Sequence, residues 1–448
     1  MRRLNHKGVK MEETQKTGIF RSMVDAVLVG GLAGLFSTFY RFLIHQIGPL
    51  RAWLYQAPTP RALFVALALA ASIAFIIHWL LKWAPLSGGS GIPQIAGELH
   101  GHFDMAAGPT ICSKIVGGGL GNFIGFSLGR EGPSIQMGGA GAKKLAHLLK
   151  RSPEEEKTLL TAGAAAGLAA AFNAPLAGCI FAIEELHKRY SHQILLPALI
   201  ASCVANAVSF LLLGQETAFR FAAVESLPIA LAFVPILIGF LTGLVGALYN
   251  QLILRFQDLF AALGRPVLRY ALLMGIALVI GFLVPDMTGG GHNVLEKMAL
   301  GLVDLKTLSL ILLIKLFYTT FCYGSGVQGG IFLPVLVIGG ACGGLVFWLL
   351  QKGLRLDAYY VNFLILGMSG ILASVVRSPL LSVVLVSEMT STYKHLWALS
   401  LVVLISYYVA LSLRSAPIYD SLLDRLLAKP ELRSDLEAGQ RAGRRADR

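Results

Sequence analysis

The chain has 448 residues, of which 55% are hydrophobic and only 14% charged, a balance that excludes an ordinary soluble globular protein. Its net charge of +13 lies outside the apolar runs and lacks an interleaved aromatic patch, so a nucleic-acid partner is not expected. Cys112, Cys179, Cys203, Cys322 and Cys342 sit in or beside apolar stretches without metal-ligand spacing, so they read as small buried hydrophobes, with no metal and no cofactor.

Taken from the start, residues 1–19 form a polar segment. The first 23 residues hold Arg2, Arg3, Lys7, Lys10, Lys16 and Arg21 against Glu12 and Glu13. This charged stretch precedes the first apolar run by more than 20 residues, so no cleaved signal peptide is expected. Nine apolar runs follow: Val27–Ile44, Ala62–Leu81, Ile194–Leu213, Ile229–Leu248, Leu272–Val284, Leu308–Phe321, Ile331–Leu350, Tyr360–Val376 and Leu396–Leu413. Several reach the roughly 20 residues a helix needs to cross a bilayer, and others fall short. Glycine, with 49 residues, interrupts many of them, and short broken spans are the sequence sign of discontinuous helices around a polar pathway. Basic residues also cluster at Lys143, Lys144, Lys150, Arg151 and Lys157, and in the tail 428–448 at Arg441, Arg444, Arg445 and Arg448. The positive-inside rule places this linker and both termini on the cytoplasmic side.

Five short motifs punctuate the apolar background. Gly89-Ser90-Gly91-Ile92-Pro93 lets backbone amides approach a ligand and adds the Ser90 hydroxyl, although a simple loop-to-helix turn has the same look. Gly129-Arg130-Glu131-Gly132-Pro133 sets an ionisable pair between glycines. Charge within a membrane protein is costly and usually functional. Pro133 is expected to open a helix with Glu131 just before its positive N-terminal end, where a tethered carboxylate competes with any free anion. Ala182-Ile183-Glu184-Glu185-Leu186 ends an apolar stretch. It reads either as a proton acceptor at the cytoplasmic mouth or as a solvated helix end with Lys188 and Arg189 as counter-ions. Gly330-Ile331-Phe332-Leu333-Pro334 starts an apolar helix whose first amides are free for an anion or simply packed. Pro417-Ile418-Tyr419 leads into a final short helix expected over Ser421–Leu427, with Tyr419 either an anion donor or a membrane anchor.

An internal repeat is also visible. Gly163, Pro175-Leu176 and Glu184 recur as Gly367, Pro379-Leu380 and Glu388 at a fixed offset of 204, and Gly129–Pro133 pairs more loosely with Gly330–Pro334. The chain thus divides into related halves of about 20–215 and 225–427, joined near Leu213–Leu227. Transporters built from repeats place their substrate site where broken helices of the two halves meet.

In combination and order, GSGIP at 89–93, GREGP at 129–133, AFNAPLAG at 171–178, GIFLP at 330–334 and Tyr419 resemble the CLC family of chloride channels and proton-coupled anion exchangers. The likeness runs over about residues 20–427 and is closest to the bacterial proton-coupled chloride exchangers without cytoplasmic CBS domains. It implies an all-α polytopic membrane protein of two inverted-topology halves of tilted and broken helices, a single membrane domain over 20–427, and a homodimer with one anion pathway per subunit. It also implies a transporter rather than an enzyme, one that exchanges chloride for protons in a bacterial inner membrane, with chloride bound as substrate.

Carried over, the resemblance gives the central anion to the hydroxyls of Ser90 and Tyr419 and the amides of Ile331 and Phe332. Glu131 becomes the gating glutamate and Glu185 the internal proton-transfer glutamate, while Lys114 adds positive potential near the pathway. Glu185 favours exchange over a passive channel, whose members generally lack that carboxylate. Ser90 goes with chloride rather than the nitrate or fluoride preferences of other relatives. Two departures are Gln94 and Ala96, where bacterial exchangers often carry acidic residues. Outside this reading, Gly367-Met368-Ser369-Gly370 with His395 makes an intramembrane serine protease a remote alternative, disfavoured because no glycine lies near His395 at helical spacing and Ser369 falls at the repeat counterpart of Ala165, an ordinary packing segment. His100 and His102 lack a third metal ligand at workable spacing and read as loop residues.

Overall fold

The computed structural model describes residues 2–214, 219, 221, 226–301, 303–354 and 356–429, with side chains from residue 20 onward. The expected basic tail, from residue 430, and part of the joint between the halves lie outside these residues. The first half comprises α1 (Arg2–Leu54), α2 (Pro60–Trp83), α3 (Ile92–Leu99), α4 (Ala107–Phe123), α5 (Glu131–Leu148), α6 (Pro153–Phe172), α7 (Pro175–Phe181) and α8 (His192–Leu213). The second comprises α9 (Phe233–Ala262), α10 (Pro266–Leu283), α11 (His292–Ala299), α12 (Leu305–Gly324), α13 (Phe332–Gln351), α14 (Tyr360–Val376), α15 (Pro379–Thr390) and α16 (Leu396–Ser412), with α17 (Ile418–Leu427) appended. Helix α1 runs unbroken through residue 19, so the polar N-terminal segment and the membrane domain are continuous there.

Local sequence sets several of these boundaries. Helix α6 starts at Ser152, whose hydroxyl accepts from the Glu155 amide while Glu155 reaches back to the Ser152 amide, with Pro153 in the first turn. It stops at Asn173 in a left-handed conformation. Helices α3 and α11, each of eight residues, both begin after a glycine that must adopt positive φ: Gly91 at 91° and Gly291 at 94°.

Nine described helical segments are long and apolar enough to cross a membrane, and all nine apolar runs of the sequence fall on them. They divide by burial. Pro60–Trp83 and Pro266–Leu283 are each 28% buried and face outward, whereas Phe332–Gln351 and Asp357–Val376 are 78% and 83% buried and form the interior. Helix α5 and the part of α6 from Leu159 onward are largely buried too, although glycine, alanine and polar residues make them less apolar than the membrane-length spans. Small residues let these helices touch backbone to backbone. A Cβ on Gly163 would stand 2.3 Å from the Gly138 carbonyl oxygen, fixing the α5–α6 crossing. Its counterpart Gly367 would meet the Gly339 carbonyl at 2.0 Å, fixing the α13–α14 crossing.

One contact pair reveals how the halves are related. Both oxygens of Glu184, just beyond α7, accept the Leu380 and Leu381 amides that open α15, at 3.0 and 2.6 Å. Both oxygens of Glu388, near the end of α15, accept the Leu176 and Ala177 amides that open α7, at 3.0 and 2.7 Å. Each helix is held at its beginning by a carboxylate from the other's end, so α7 and α15 run antiparallel about a local two-fold. Equivalent helices that run in opposite directions make the repeat inverted. The same contacts correct the solvated-end reading of Glu184 and Glu185: Glu184 is bonded across the halves, and Lys188 pairs with Asp420 at 2.5 Å.

Candidate functional site

Four loops converge between the halves. Gly129 and Gly330 exchange two backbone hydrogen bonds, 2.7 and 2.8 Å, in a single antiparallel bridge. Gly89 takes part in a second, parallel bridge, its amide donating to the Val327 carbonyl at 3.1 Å and its carbonyl accepting from the Gly329 amide at 3.0 Å. A Cβ on Gly132 would meet the Ser90 carbonyl oxygen at 2.8 Å, so only glycine lets α5 begin against the Ser90 loop. The N-terminal ends of α3, α5 and α13 therefore meet at one place, and the start of α17 joins them through Tyr419, whose ring is 6.0 Å from that of Phe332. Unpaired amides and aligned peptide dipoles make each such end attractive to negative charge.

The side chains leave donors free there. Ser90 is fully buried, and its hydroxyl oxygen accepts from the Tyr323 hydroxyl at 3.2 Å and the Ile92 amide at 3.3 Å. With both lone pairs engaged, the Ser90 proton is left to donate. The Tyr419 hydroxyl is buried without a hydrogen-bond partner, a costly state for a polar group unless a ligand meets it. Ile331 precedes α13 and Phe332 opens it, both 1% exposed. Lys114, also fully buried, donates to the Gly89 carbonyl at 2.6 Å and so braces the Ser90 loop.

Glu131 is 1% exposed and is itself the first residue of α5, with Arg130 as N-cap and Pro133 inside the first turn. The sequence reading opened the helix at Pro133, two residues later, and left Glu131 outside it. Its carboxylate faces the backbone amides of Arg130, Glu131 and Leu333, while Oε2 has no hydrogen bond of good geometry. The Arg130 guanidinium is 3.8 Å away. Leu333 belongs to the opposite half, so a first-half carboxylate lies at the opening of a second-half helix.

Glu185 lies on a wider π turn, Ala182–His187, that continues α7. It is 6% exposed, and its Oε2 accepts from the Ser378 hydroxyl at 2.5 Å. Glu185 and Tyr419 both border one cavity of about 330 Å³. Ile92, the first residue of α3, borders the same cavity. Helix α17 starts at Ile418, three residues earlier than expected, which puts Tyr419 in its first turn.

The structure brings together Ser90, Glu131, Ile331, Phe332 and Tyr419, with Gly89, Gly91, Ile92, Pro93, Gly132, Pro133, Gly330 and Pro334 shaping the loops between them. Sequence reasoning missed Tyr323 and Ser378. A tyrosine inside an apolar helix carries no local signal, but Ser378-Pro379 has the form of a helix start and was open to notice. Gln94 donates to the Gly88 carbonyl at 2.8 Å. Ser369, the serine of the G-x-S-G motif, donates its hydroxyl to the Ser382 carbonyl at 3.1 Å.

Comparison with known proteins gives the family and the fold. The family model described as voltage gated chloride channel matches residues 72–411. A Klebsiella pneumoniae protein named H(+)/Cl(-) exchange transporter ClcA is 34% identical over 437 residues, covering 93% of this chain and 91% of the relative. The Vibrio cholerae protein of the same name is 35% identical over 424 residues, covering 91% and 90%. Among solved structures, a slow cyanobacterial Cl-/H+ antiporter superposes with a TM-score of 0.85 at 31% identity, covering 92% of this chain and 99% of that one. A CLC-type fluoride/proton antiporter at 22% identity, with a TM-score of 0.78 and coverage of 90% and 97%, shares the fold.

Proposed function

The chain belongs to the voltage-gated chloride channel (CLC) family, and from that premise we propose that it is a secondary transporter exchanging chloride for protons across a membrane. The observation that carries this reading is the position of the Glu131 carboxylate against amides of both halves, in a cradle that also holds the Ser90 hydroxyl, with its proton left to donate, and the unpartnered Tyr419 hydroxyl. Chloride is stabilised there by helix ends and hydroxyls, without a fixed cation in contact that would hold it too tightly for turnover. An ionised Glu131 competes for the same field. A proton removes its charge and frees the cradle, so proton and chloride occupancy are linked in both directions.

Protons reach Glu131 directly from outside, and from the cytoplasm by way of Glu185, whose cavity extends to Tyr419. Homodimeric assembly, a bacterial inner membrane and cytoplasmic termini belong to the same reading, the last supported by the basic ends and linker. In vesicles reconstituted with a chloride gradient, a pH dye should report proton uptake against its gradient. A reversal potential fixed at the chloride equilibrium value whatever the pH gradient would instead identify a passive channel.

A further inference from the structure

The cavity beneath Tyr419 carries a group of residues that the transport reading leaves unused. Besides Glu185 and Tyr419 it is bordered by three imidazoles: His100 at the end of α3, His102 two residues on, and His187, the last residue of the Glu185 turn. The rings of His100 and His102 are stacked, 6.2 Å apart and 22° from parallel. The sequence read both only as loop residues.

Hydrogen bonding sets the tautomers of two of the rings. His100 Nδ1 is 2.7 Å from the Ala96 carbonyl, which only accepts, so Nδ1 holds the proton and Nε2 keeps its lone pair. His187 Nε2 is 2.8 Å from the Thr161 hydroxyl, whose own proton goes to the Lys157 carbonyl at 2.9 Å. Thr161 is thereby an acceptor toward the ring, Nε2 holds the proton, and Nδ1 is the basic nitrogen. Each of these two rings takes up and releases a proton at one fixed atom.

The charged groups around them are mostly paired with one another. Lys188 is bonded to Asp420, Glu98 on α3 to Lys143, Glu184 to the α15 amides, and Arg425 on α17 to Asp258. Asp424 borders the cavity and Arg189 follows the turn; Asp104, beyond His102, is bonded to Lys143 at 2.5 Å. Of the side chains at this mouth, imidazole is the type whose ordinary titration lies between pH 5 and 8. Burial, then the charges of Arg189 and His100, push His187 down to about 4, so it is neutral at rest and hands a proton onward rather than storing it.

We propose that His100, His102 and His187 form a cytoplasmic proton-collecting relay for Glu185. A proton from the medium binds Nε2 of His100 or a ring nitrogen of His102, leaves from the same atom through water to Nδ1 of His187, and passes from there to the Glu185 carboxylate. The inference rests on the reading of Glu185 as the internal proton-transfer group. It supplies, in imidazoles, the proton-gathering chemistry that Gln94 and Ala96 on the same helix lack.

The test compares the parent with His100→Gln/His102→Gln/His187→Asn in vesicles, at low and high buffer strength and over a range of pH. Asn at position 187 keeps a donor for Thr161 while removing the basic nitrogen. The expected result is a several-fold slower proton flux at low buffer strength, an unchanged ratio of chloride to protons, and recovery when free imidazole is added. Proton rates equal to the parent's at every pH and buffer strength would overturn the relay, as would a slow variant that imidazole fails to restore. The single variant His187→Asn, expected to show the same buffer dependence more weakly, separates the relay from misfolding of the triple variant. Glu185→Gln is the control. If it still pumps protons like the parent, the reading of Glu185 fails; if it is silent while the histidine variants match the parent, only the relay fails.

Discussion

The two halves are built alike but equipped differently. Gly163 and Gly367, Glu184 and Glu388, and Lys114 and Lys315 are shared and do the same work on each side. Lys315, for instance, donates to the Gly289 carbonyl at 2.8 Å just as Lys114 does to Gly89. Where the halves part company, the chemistry lies. Ser90 answers to Gly290, Glu131 to Phe332, and Glu185 to Met389. Under the proposed function, what the repeat keeps holds the backbone, and what it lets diverge handles ions.

That division can be broken experimentally. The largest effect is expected at an unshared residue: Glu131→Gln should abolish uphill proton pumping and its pH dependence while chloride continues to flow, as followed by a pH dye and a chloride electrode. Glu185→Gln should likewise lose proton transport with anion passage retained; normal pumping would remove it from the pathway. The sign for pH follows from competition, since acid neutralises Glu131 and opens the cradle. Parent flux should therefore rise as pH falls, and the Glu131→Gln rate should stay flat.

Shared residues should cost stability and leave the coupling ratio alone. Gly163→Ala and Gly367→Ala each drive a methyl into a carbonyl, for a loss of about 2–3 kcal/mol, measurable by unfolding in detergent. Glu184→Gln and Glu388→Gln each give up one of two amide bonds to a charged acceptor, for about 1.5 kcal/mol, and the two losses should agree if the local two-fold is real. A changed chloride-to-proton ratio in either would defeat the division. Smallest of all, Ser152→Ala removes the cap of α6 for about 1 kcal/mol. Its counterpart before α14 has no side-chain cap, so this unshared residue should have no transport effect and marks where the rule stops.

Much of this was legible in the residues. The nine apolar runs fall on the nine apolar spans because hydropathy reports removal from water, toward lipid for Pro60–Trp83 and Pro266–Leu283 and into the protein interior for Phe332–Gln351 and Asp357–Val376. Helices α5 and α6 escaped the hydropathy pattern because they are buried in protein, where packing demands small side chains rather than greasy ones. The motif loops were identified by glycine, proline and an isolated carboxylate, and all of them meet in space. Glu184 and Glu388 marked the repeat in the sequence, but their mutual grip joins residues more than 190 positions apart, and no local pattern encodes that. The same holds for Tyr323 against Ser90.

The Gly129–Gly330 bridge has a thermodynamic consequence. It joins two segments head to head, so α5 and α13 aim like poles, each worth about half an elementary charge, at a common point. Such an arrangement is strained by self-repulsion until something negative settles it. Halide in the medium should therefore harden the purified protein against heat, by about 2.7 kcal/mol once it stands a hundredfold above its dissociation constant.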